Sequence, residues 1–569
     1  YRFPTAVSKK GLQVSAAMTE DAVELNVHHS VLNIVFSDLI SRREEYSQMA
    51  SIPYRYHGKT YWFRRSAVES YDSQLTALKE TKTIVSAILL LGWRDDLKYL
   101  IYPSGRSEGH AFYAWNTSGT AAREHLEAAI TFLAERYSDP SGKYGQIVNW
   151  IVGNEVNNYN VYNYAGRKNL TQYARIYANA FRLTYQTVTS VYANARVYIS
   201  LDHLWNDQTA GSFPSRNMLD AFAKALNRQG SIPWNLAYHP YGSPLTEPKF
   251  WENRNRQVTQ ALTSPVINMA NIGILTSYIR DKYGSSTRVI LSEQGFSSVR
   301  HTSSENMEAE KDQAAAIAYG YYLAEKDDMV DAFILNRHVD HRDEVSQGLD
   351  LGLWKREDSS RSPEWASEAK TSWSVFKYMD TNRAAKVTAP VLSVIGIEKW
   401  SDVIEGFGSR FYTKTTVDRS ALKQVKSYKK RGTIPTGWKQ YGAVTGGGKS
   451  SGVLYVSHDG SRNRSCVWGF SQKFKKGLNF QSNPVFYTSL QVKGAQAGKV
   501  RVKLRFFSGN HIMESYGKIA AGRKVSLGVS LKNWKYRSKV TKIQVLIAPV
   551  KGGWEEGASL AMNLPVQGR

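Results

Sequence analysis

Residues 149–158 read NWIVGNEVNN, and residues 288–296 read RVILSEQGF. In both, a short apolar run stops at a small or polar residue and a glutamate follows: Glu155 after Gly153-Asn154, Glu293 after Ser292. Runs of this length and composition are what a strand buried on both faces shows. A carboxylate just past the C-terminal end of such a strand sits where parallel α/β sheets, open or closed, keep their chemistry. A glutamate taken at random is a solvated surface charge, but one that ends a buried run is out of place there.

Outward from these two stretches, strand-like and helix-like segments alternate. The expected strands fall within 23–36, at 83–91, at 110–116, at the 147–152 run, and at 197–201, 234–239, 289–293 and 331–335. Ser66 and Glu69 have capping-box spacing, and Val68, Tyr71, Leu75 and Leu78 follow at helical intervals. Further helices are expected at 120–137, 170–190, 218–227, 269–282, 313–325 and 363–379. Eight strands mostly alternating with helices predict a (β/α)8 TIM barrel over residues 1–384. Glu155 and Glu293 then follow its fourth and seventh strands.

Beyond Ala384 the texture changes. Short alternating runs at 453–456, 500–507, 524–531 and 542–548 are separated by turn-like pieces such as Gly446-Gly447-Gly448 and Gly552-Gly553. This predicts a C-terminal antiparallel β-sandwich over residues 385–569. Charge divides the chain in nearly the same place. The whole carries +25, of which residues 395–569, with 31 Lys+Arg against 8 Asp+Glu, supply +23.

Two carboxylates at one barrel mouth suit glycoside hydrolysis, where one protonates the leaving oxygen and the other attacks the anomeric carbon or activates water. Their mutual repulsion raises one pKa and keeps an acid protonated near neutral pH. Gly153-Asn154-Glu155, with a second glutamate ending strand seven, resembles the retaining glycoside hydrolases of clan A. The resemblance implies Glu155 as acid/base, Glu293 as nucleophile and Asn154 as a contact to the sugar 2-hydroxyl. Residues 1–384 also look like a bacterial family long described as a domain of unknown function, which implies the barrel and not the substrate.

Other expected strand ends supply candidate substrate contacts: His239 and Tyr241 after strand six, Trp115 and Asn116 after strand three, His338 after strand eight, and Asp202 and His203 after strand five. Trp93, Trp205 and Trp354 are candidates for stacking on sugar rings; each is equally suited to a place in a loop core. His338-Val339-Asp340-His341 and His28-His29 invite a metal reading, but neither has the HExxH spacing, and adjacent histidines do not easily converge on one ion. No metal or cofactor is expected, and no GxxxxGK[ST] or GxGxxG unit supports nucleotide chemistry.

Cys466 is the single cysteine, so an intrachain disulfide and a Cys-based zinc site are excluded. No apolar run approaches the roughly 18 residues of a membrane span. The first residue is Tyr1 rather than Met, which a removed signal peptide or a trimmed chain would both give. The expected partner is an oligo- or polysaccharide, and a secreted or cell-surface bacterial location follows from that. The basic C-terminal domain suits an anionic glycan or cell-wall polymer, or a carbohydrate-binding module using Trp438, Tyr441, Trp468 or Trp534, or a structural brace. Nucleic acid is not expected. The rival to an enzyme is a non-catalytic polysaccharide-binding surface protein on the same barrel.

Overall fold

Eight short strands build the first part of the chain: β1 (Lys10–Leu12), β2 (His29–Val35), β3 (Ile84–Leu90), β4 (Asn149–Val152), β5 (Arg196–Leu201), β6 (Asn235–Tyr238), β7 (Val289–Gln294) and β8 (Val330–Leu335). Each pairs in parallel with its sequence neighbours, and β1 pairs with both β2 and β8, closing the barrel. The computed structural model describes residues 1–298, 306–358, 362, 365–461, 463 and 466–569. These form two units, Tyr1–Leu353 with Val391–Glu405, and Trp354–Pro390 with Gly406–Arg569.

Side chains alternate across a strand, so every second residue points into the barrel. Val31, Ile88, Leu90, Ile151, Tyr198, Ala237, Ile290, Ala332 and Ile334 form one buried cluster from seven of the eight strands. That cluster is a packed core with no pore, as closure of eight strands requires. Around it lie α1 (Arg65–Glu80), α2 (Thr120–Tyr137), α3 (Leu170–Val191), α4 (Ser215–Asn227), α5 (Ile272–Tyr283) and α6 (Asn306–Lys326). Helix α3 is capped at its start by Asn169, whose side chain accepts from the Gln172 N–H while Gln172 reaches back.

The barrel matches the expected fold class, with two strands assigned differently. Lys10–Leu12 is the first strand and was not anticipated, because three residues of KGL carry no apolar alternation. Residues 110–116 are not a barrel strand: Tyr113 and Trp115 form only isolated bridges, to Tyr164 and Ile101. The two differences cancel, so Glu155 and Glu293 keep their places relative to strands four and seven. The Ser66 cap does not form either. Strand Lys59–Arg64 runs directly into α1, whose preceding residue Arg64 makes no side-chain cap. Of the helix expected at 363–379, residues 363–364 lie outside the described residues, Ala366–Ala369 is a strand paired with Trp354–Arg356, and only Thr371–Tyr378 is α-helical before Met379.

The second unit holds β9 (Thr416–Gln424), β10 (Lys439–Gly442), β11 (Val444–Ser450), β12 (Val453–His458), β13 (Trp468–Leu478), β14 (Val485–Ala495), β15 (Lys499–Ser508), β16 (His511–Ala520), β17 (Lys524–Ser530), β18 (Val540–Pro549) and β19 (Trp554–Asn563). They run in the order β10-β13-β18-β15-β16-β9-β17-β14-β19-β12-β11. Pairing is antiparallel except where the first half of β9 lies parallel to β16. The second half of β9 pairs with β17, so one strand serves two sheets. Between the sheets lies one apolar core that includes Trp468, Phe486, Leu504, Val545 and Leu560. The expected β-sandwich is therefore present, with one change: Gly446-Gly447-Gly448 is no turn but the middle of β11, paired with Ser457, Val456 and Tyr455.

Candidate active site

The inward-facing rows of the barrel do not stay apolar to their ends. Two residues beyond Tyr198, Ala237, Ile290 and Ile334 come Ser200, His239, Ser292 and Asn336, all buried. A period of two keeps each on the same face as its apolar predecessor, so these four make a polar layer above the core, at the C-terminal face. His239 has no exposed surface and is the hub of that layer. Its Nε2 lies 3.1 Å from Ser292 Oγ and 3.4 Å from Ser200 Oγ, and its Nδ1 lies 2.8 Å from Glu155 Oε1.

Glu155 reaches this point through a tight turn. Gly153 has φ +73° and Glu155 itself φ +39°, a left-handed conformation that an L-residue with a side chain adopts at a cost. The Glu155 N–H donates to Ser200 Oγ at 3.0 Å, which fixes the turn to the neighbouring strand. Glu293 needs no such turn, since it lies within β7 itself. The Tyr241 hydroxyl donates to its Oε1 at 2.7 Å, and Asn336 Nδ2 donates to the Tyr241 hydroxyl at 2.8 Å.

His239 Nδ1 is 2.8 Å from Glu155 Oε1 and 3.9 Å from Glu293 Oε2, so those two oxygens are at most about 6.7 Å apart. Both carboxyls remain reachable, with 14% of the Glu155 side chain and 27% of the Glu293 side chain exposed. Burial pushes the Glu155 carboxyl above its ordinary pKa; His239 opposes this, and Asp202 and Glu293 add to it. Burial alone would lower His239, but Glu293, Glu155 and Asp202 outweigh it and raise it.

Three further groups face the pair. The Tyr162 phenol is pushed up to about 12, first by burial and then by Glu155 and Glu293. Glu344 lies 2.7 Å from Arg337, which lowers its pKa; burial outweighs that, and Glu293 adds to the upward shift. None of Ser200, Ser292, Asn336, Tyr162, Arg337 or Glu344 was anticipated. The only sequence signal of the first three is the switch from apolar to polar at inward positions of strands five, seven and eight, which in any one strand reads as its end.

Of the anticipated residues, Glu155, Glu293, Asn154, His239 and Tyr241 come together. Asn154 is half-buried beside Glu155. His203 stands edge-on to Tyr241 with ring centroids 6.5 Å apart. Asp202 is buried and spends one oxygen on the Leu204 N–H and the Ser215 hydroxyl, and its charge adds to the upward shift of Glu155. Trp93 is half-buried against Tyr113, with ring centroids 5.6 Å apart.

Four expectations are corrected. Trp205 is fully buried edge-on to Tyr278 and offers no face to a ligand. Trp115 is buried against Phe36, and Asn116 holds the turn before α2, accepting from the Gly119 N–H and donating to the Tyr99 carbonyl. His338 is buried with Nε2 at 2.9 Å from Asp21 and Nδ1 accepting from the Ser15 N–H, so both ring nitrogens brace β8 against the segment after β1. Trp354 lies on the strand paired with Ala366–Ala369, edge-on to Trp373, and its stacking role stays an expectation. Among the described residues, no group of three His, Cys, Asp or Glu side chains is placed to hold a metal ion.

Among solved structures the chain resembles a family 39 glycoside hydrolase from the gut symbiont Bacteroides cellulosilyticus WH2, at 11% identity over 93% of this chain and 83% of that one, with a TM-score of 0.41. It also resembles a glucosidase from Croceicoccus marinus, at 12% identity over 97% of this chain and 98% of that one, TM-score 0.40. A third is the exo-β-1,4-mannosidase Op5Man5 from Opitutaceae bacterium strain TAV5, at 12% identity over 67% and 56%, TM-score 0.37. Likeness this distant carries no argument about activity. No curated protein matches the sequence. The family is plain from the sequence itself: residues 2–403 match the family of unknown function DUF5722, and the chain belongs to it.

Proposed function

We propose that this protein is a retaining glycoside hydrolase that cleaves a β-glycosidic bond of an oligo- or polysaccharide by double displacement, secreted or held at a bacterial cell surface. The observation that carries this reading is the pair Glu155–Glu293 beside His239, whose Nδ1 lies 2.8 Å from one and 3.9 Å from the other, so that one oxygen of each is at most about 6.7 Å from the other. Retaining pairs stand roughly 5–5.5 Å apart and inverting pairs roughly 6.5–9.5 Å; the bound on this one oxygen pair puts both carboxyls at a single glycosidic bond, and the product anomer decides between the two.

The roles follow from the two environments. Glu155, pushed up by burial, keeps its proton and gives it to the leaving oxygen. Glu293, holding the Tyr241 hydrogen bond, attacks the anomeric carbon and forms a glycosyl ester. Glu155, now ionised, takes a proton from water, which attacks the same carbon and releases Glu293. Asn154, next to the acid in the chain, would hold a sugar hydroxyl. Wild type and Glu293→Gln are to be screened on aryl glycosides and polysaccharides, with the anomer of the first product read by proton NMR. Hydrolysis with β-anomer released first, and none by the variant, is the expected result. An α-anomer would make the enzyme inverting, and binding without turnover by either protein would replace the enzyme with a polysaccharide-binding barrel.

A further inference from the structure

The second unit carries a cleft of about 380 Å³, lined by Thr436, Trp438, Gln440, Lys449, Leu454 and Tyr455 among others. Its volume falls in the range of small-ligand sites, roughly 300–1,000 Å³. These residues lie on and just before β10, at the end of β11 and on β12. β10 and β11 end the strand order and β12 lies next to β11, so the cleft lies at the edge of the sandwich.

The lining is of two kinds. Trp438 and Leu454 supply apolar and aromatic surface, while Thr436, Gln440 and Lys449 supply a hydroxyl, an amide and an ammonium. Lys449 is paired with Leu454 and shares its face, whereas Tyr455, paired with Gly448, turns its ring to the other face of the sheet. Trp468 and Trp534 are buried completely. Trp468 and Trp534 are thereby removed from the expected sugar-binding set. The glycines of β11 fit the same picture. A side chain at Gly447 would overlap Gln440 Nε2 and the Tyr455 carbonyl, so glycine there lets Gln440 seat against the strand. A Cβ at Gly448, which lines the cleft, would meet nothing within 4 Å.

An aromatic face beside amide and hydroxyl groups matches a pyranose ring, whose axial C–H faces are apolar and whose rim is hydroxylated. The ammonium of Lys449 is exposed, and among the described residues it forms no ion pair. It stands in a segment of net charge +23. Such a field gathers anions. We propose that this cleft is a second glycan site, separate from the barrel, that binds a saccharide bearing an anionic substituent, a uronic carboxylate or a sulfate.

The test uses the full chain as Glu293→Gln, titrated calorimetrically with oligogalacturonate, sulfated oligosaccharide and neutral cello- and manno-oligosaccharides. Trp438→Ala removes a side chain packed on the sandwich core, so the deciding variants are the exposed Lys449→Ala and Gln440→Ala. Added to Glu293→Gln, Gln440→Ala is expected to weaken acidic oligosaccharides at least tenfold. Lys449→Ala should weaken them about as much and remove most of their preference over neutral ones. The carboxylated and sulfated arms tell which anion the site takes. Neutral oligosaccharides binding as tightly as acidic ones, or acidic binding untouched by both variants, would overturn the proposal.

Discussion

Glu155 occupies a left-handed backbone position that glycine fills without cost, and its side chain is nearly enclosed. Both conditions are unfavourable for a carboxylate, and both are held in place by Ser200 and His239. Because burial raises its pKa, Glu155 stays protonated where surface glutamates are ionised, and it loses the proton as pH rises through that raised value. Hydrolysis of natural glycosides should therefore fall on the alkaline side of its optimum. Glu155→Gln is expected to cut kcat/KM on such substrates by roughly 10²–10⁴-fold while sparing the first step on dinitrophenyl glycosides, which need no proton. It should also abolish the alkaline limb. A limb of unchanged pKa in the variant would assign that titration elsewhere. Tyr241→Phe removes a hydrogen bond to the carboxylate worth about 1.5–3 kcal/mol, so a loss of roughly 10–100-fold in kcat/KM is expected, with the circular dichroism spectrum unchanged.

Strands, more than helices, decide what was legible beforehand. The runs at 147–152 and 289–293 are continuous Ile/Val/Leu-rich segments, and such runs identify interior strands because both faces are buried. β1 escapes that logic. Lys10 and Gly11 make no apolar pattern, and the strand exists because β2 and β8 leave a slot between them. Gly11 shows how narrow the slot is: a Cβ there would lie 2.8 Å from Ile334 Cγ1 and 2.9 Å from His29 Cβ on β2. Gly11→Val is accordingly expected to destabilise the barrel by roughly 1–3 kcal/mol in urea unfolding, and an unchanged midpoint would mean that β1 is not packed as described. Residues 110–116 fail in the opposite sense. HAFYAWN has strand-like composition, but its aromatics are buried in the loop after β3, where Tyr113 packs against Trp93. Composition reports burial and not pairing. The same limit hid Ser200, Ser292 and Asn336, whose polarity reads as a strand end until the other strands are seen to change at the same level.

At the scale of the whole molecule, charge is distributed as unevenly as fold. Residues 1–394 hold 43 Lys+Arg against 41 Asp+Glu, and residues 395–569 hold 31 against 8. A barrel segment so close to neutrality exerts little long-range pull on an uncharged sugar, whereas the C-terminal segment presents a field that salt screens within roughly 10 Å at 0.1 M. If the two segments do different work, ionic strength should separate them. Raising salt from about 50 to about 500 mM should leave kcat/KM on a neutral aryl glycoside within roughly twofold, because neither the substrate nor the barrel's net charge gives salt much to act on. Over the same range, binding of the full chain to immobilised polygalacturonate should fall at least tenfold, with the logarithm of affinity linear in the logarithm of salt, since each anion neutralised releases a counterion. A salt-insensitive association would place the binding in ring stacking and hydrogen bonds alone, and the lysines would then serve solubility. A parallel loss of hydrolysis would mean that the charged segment and the catalytic pair act on one and the same substrate.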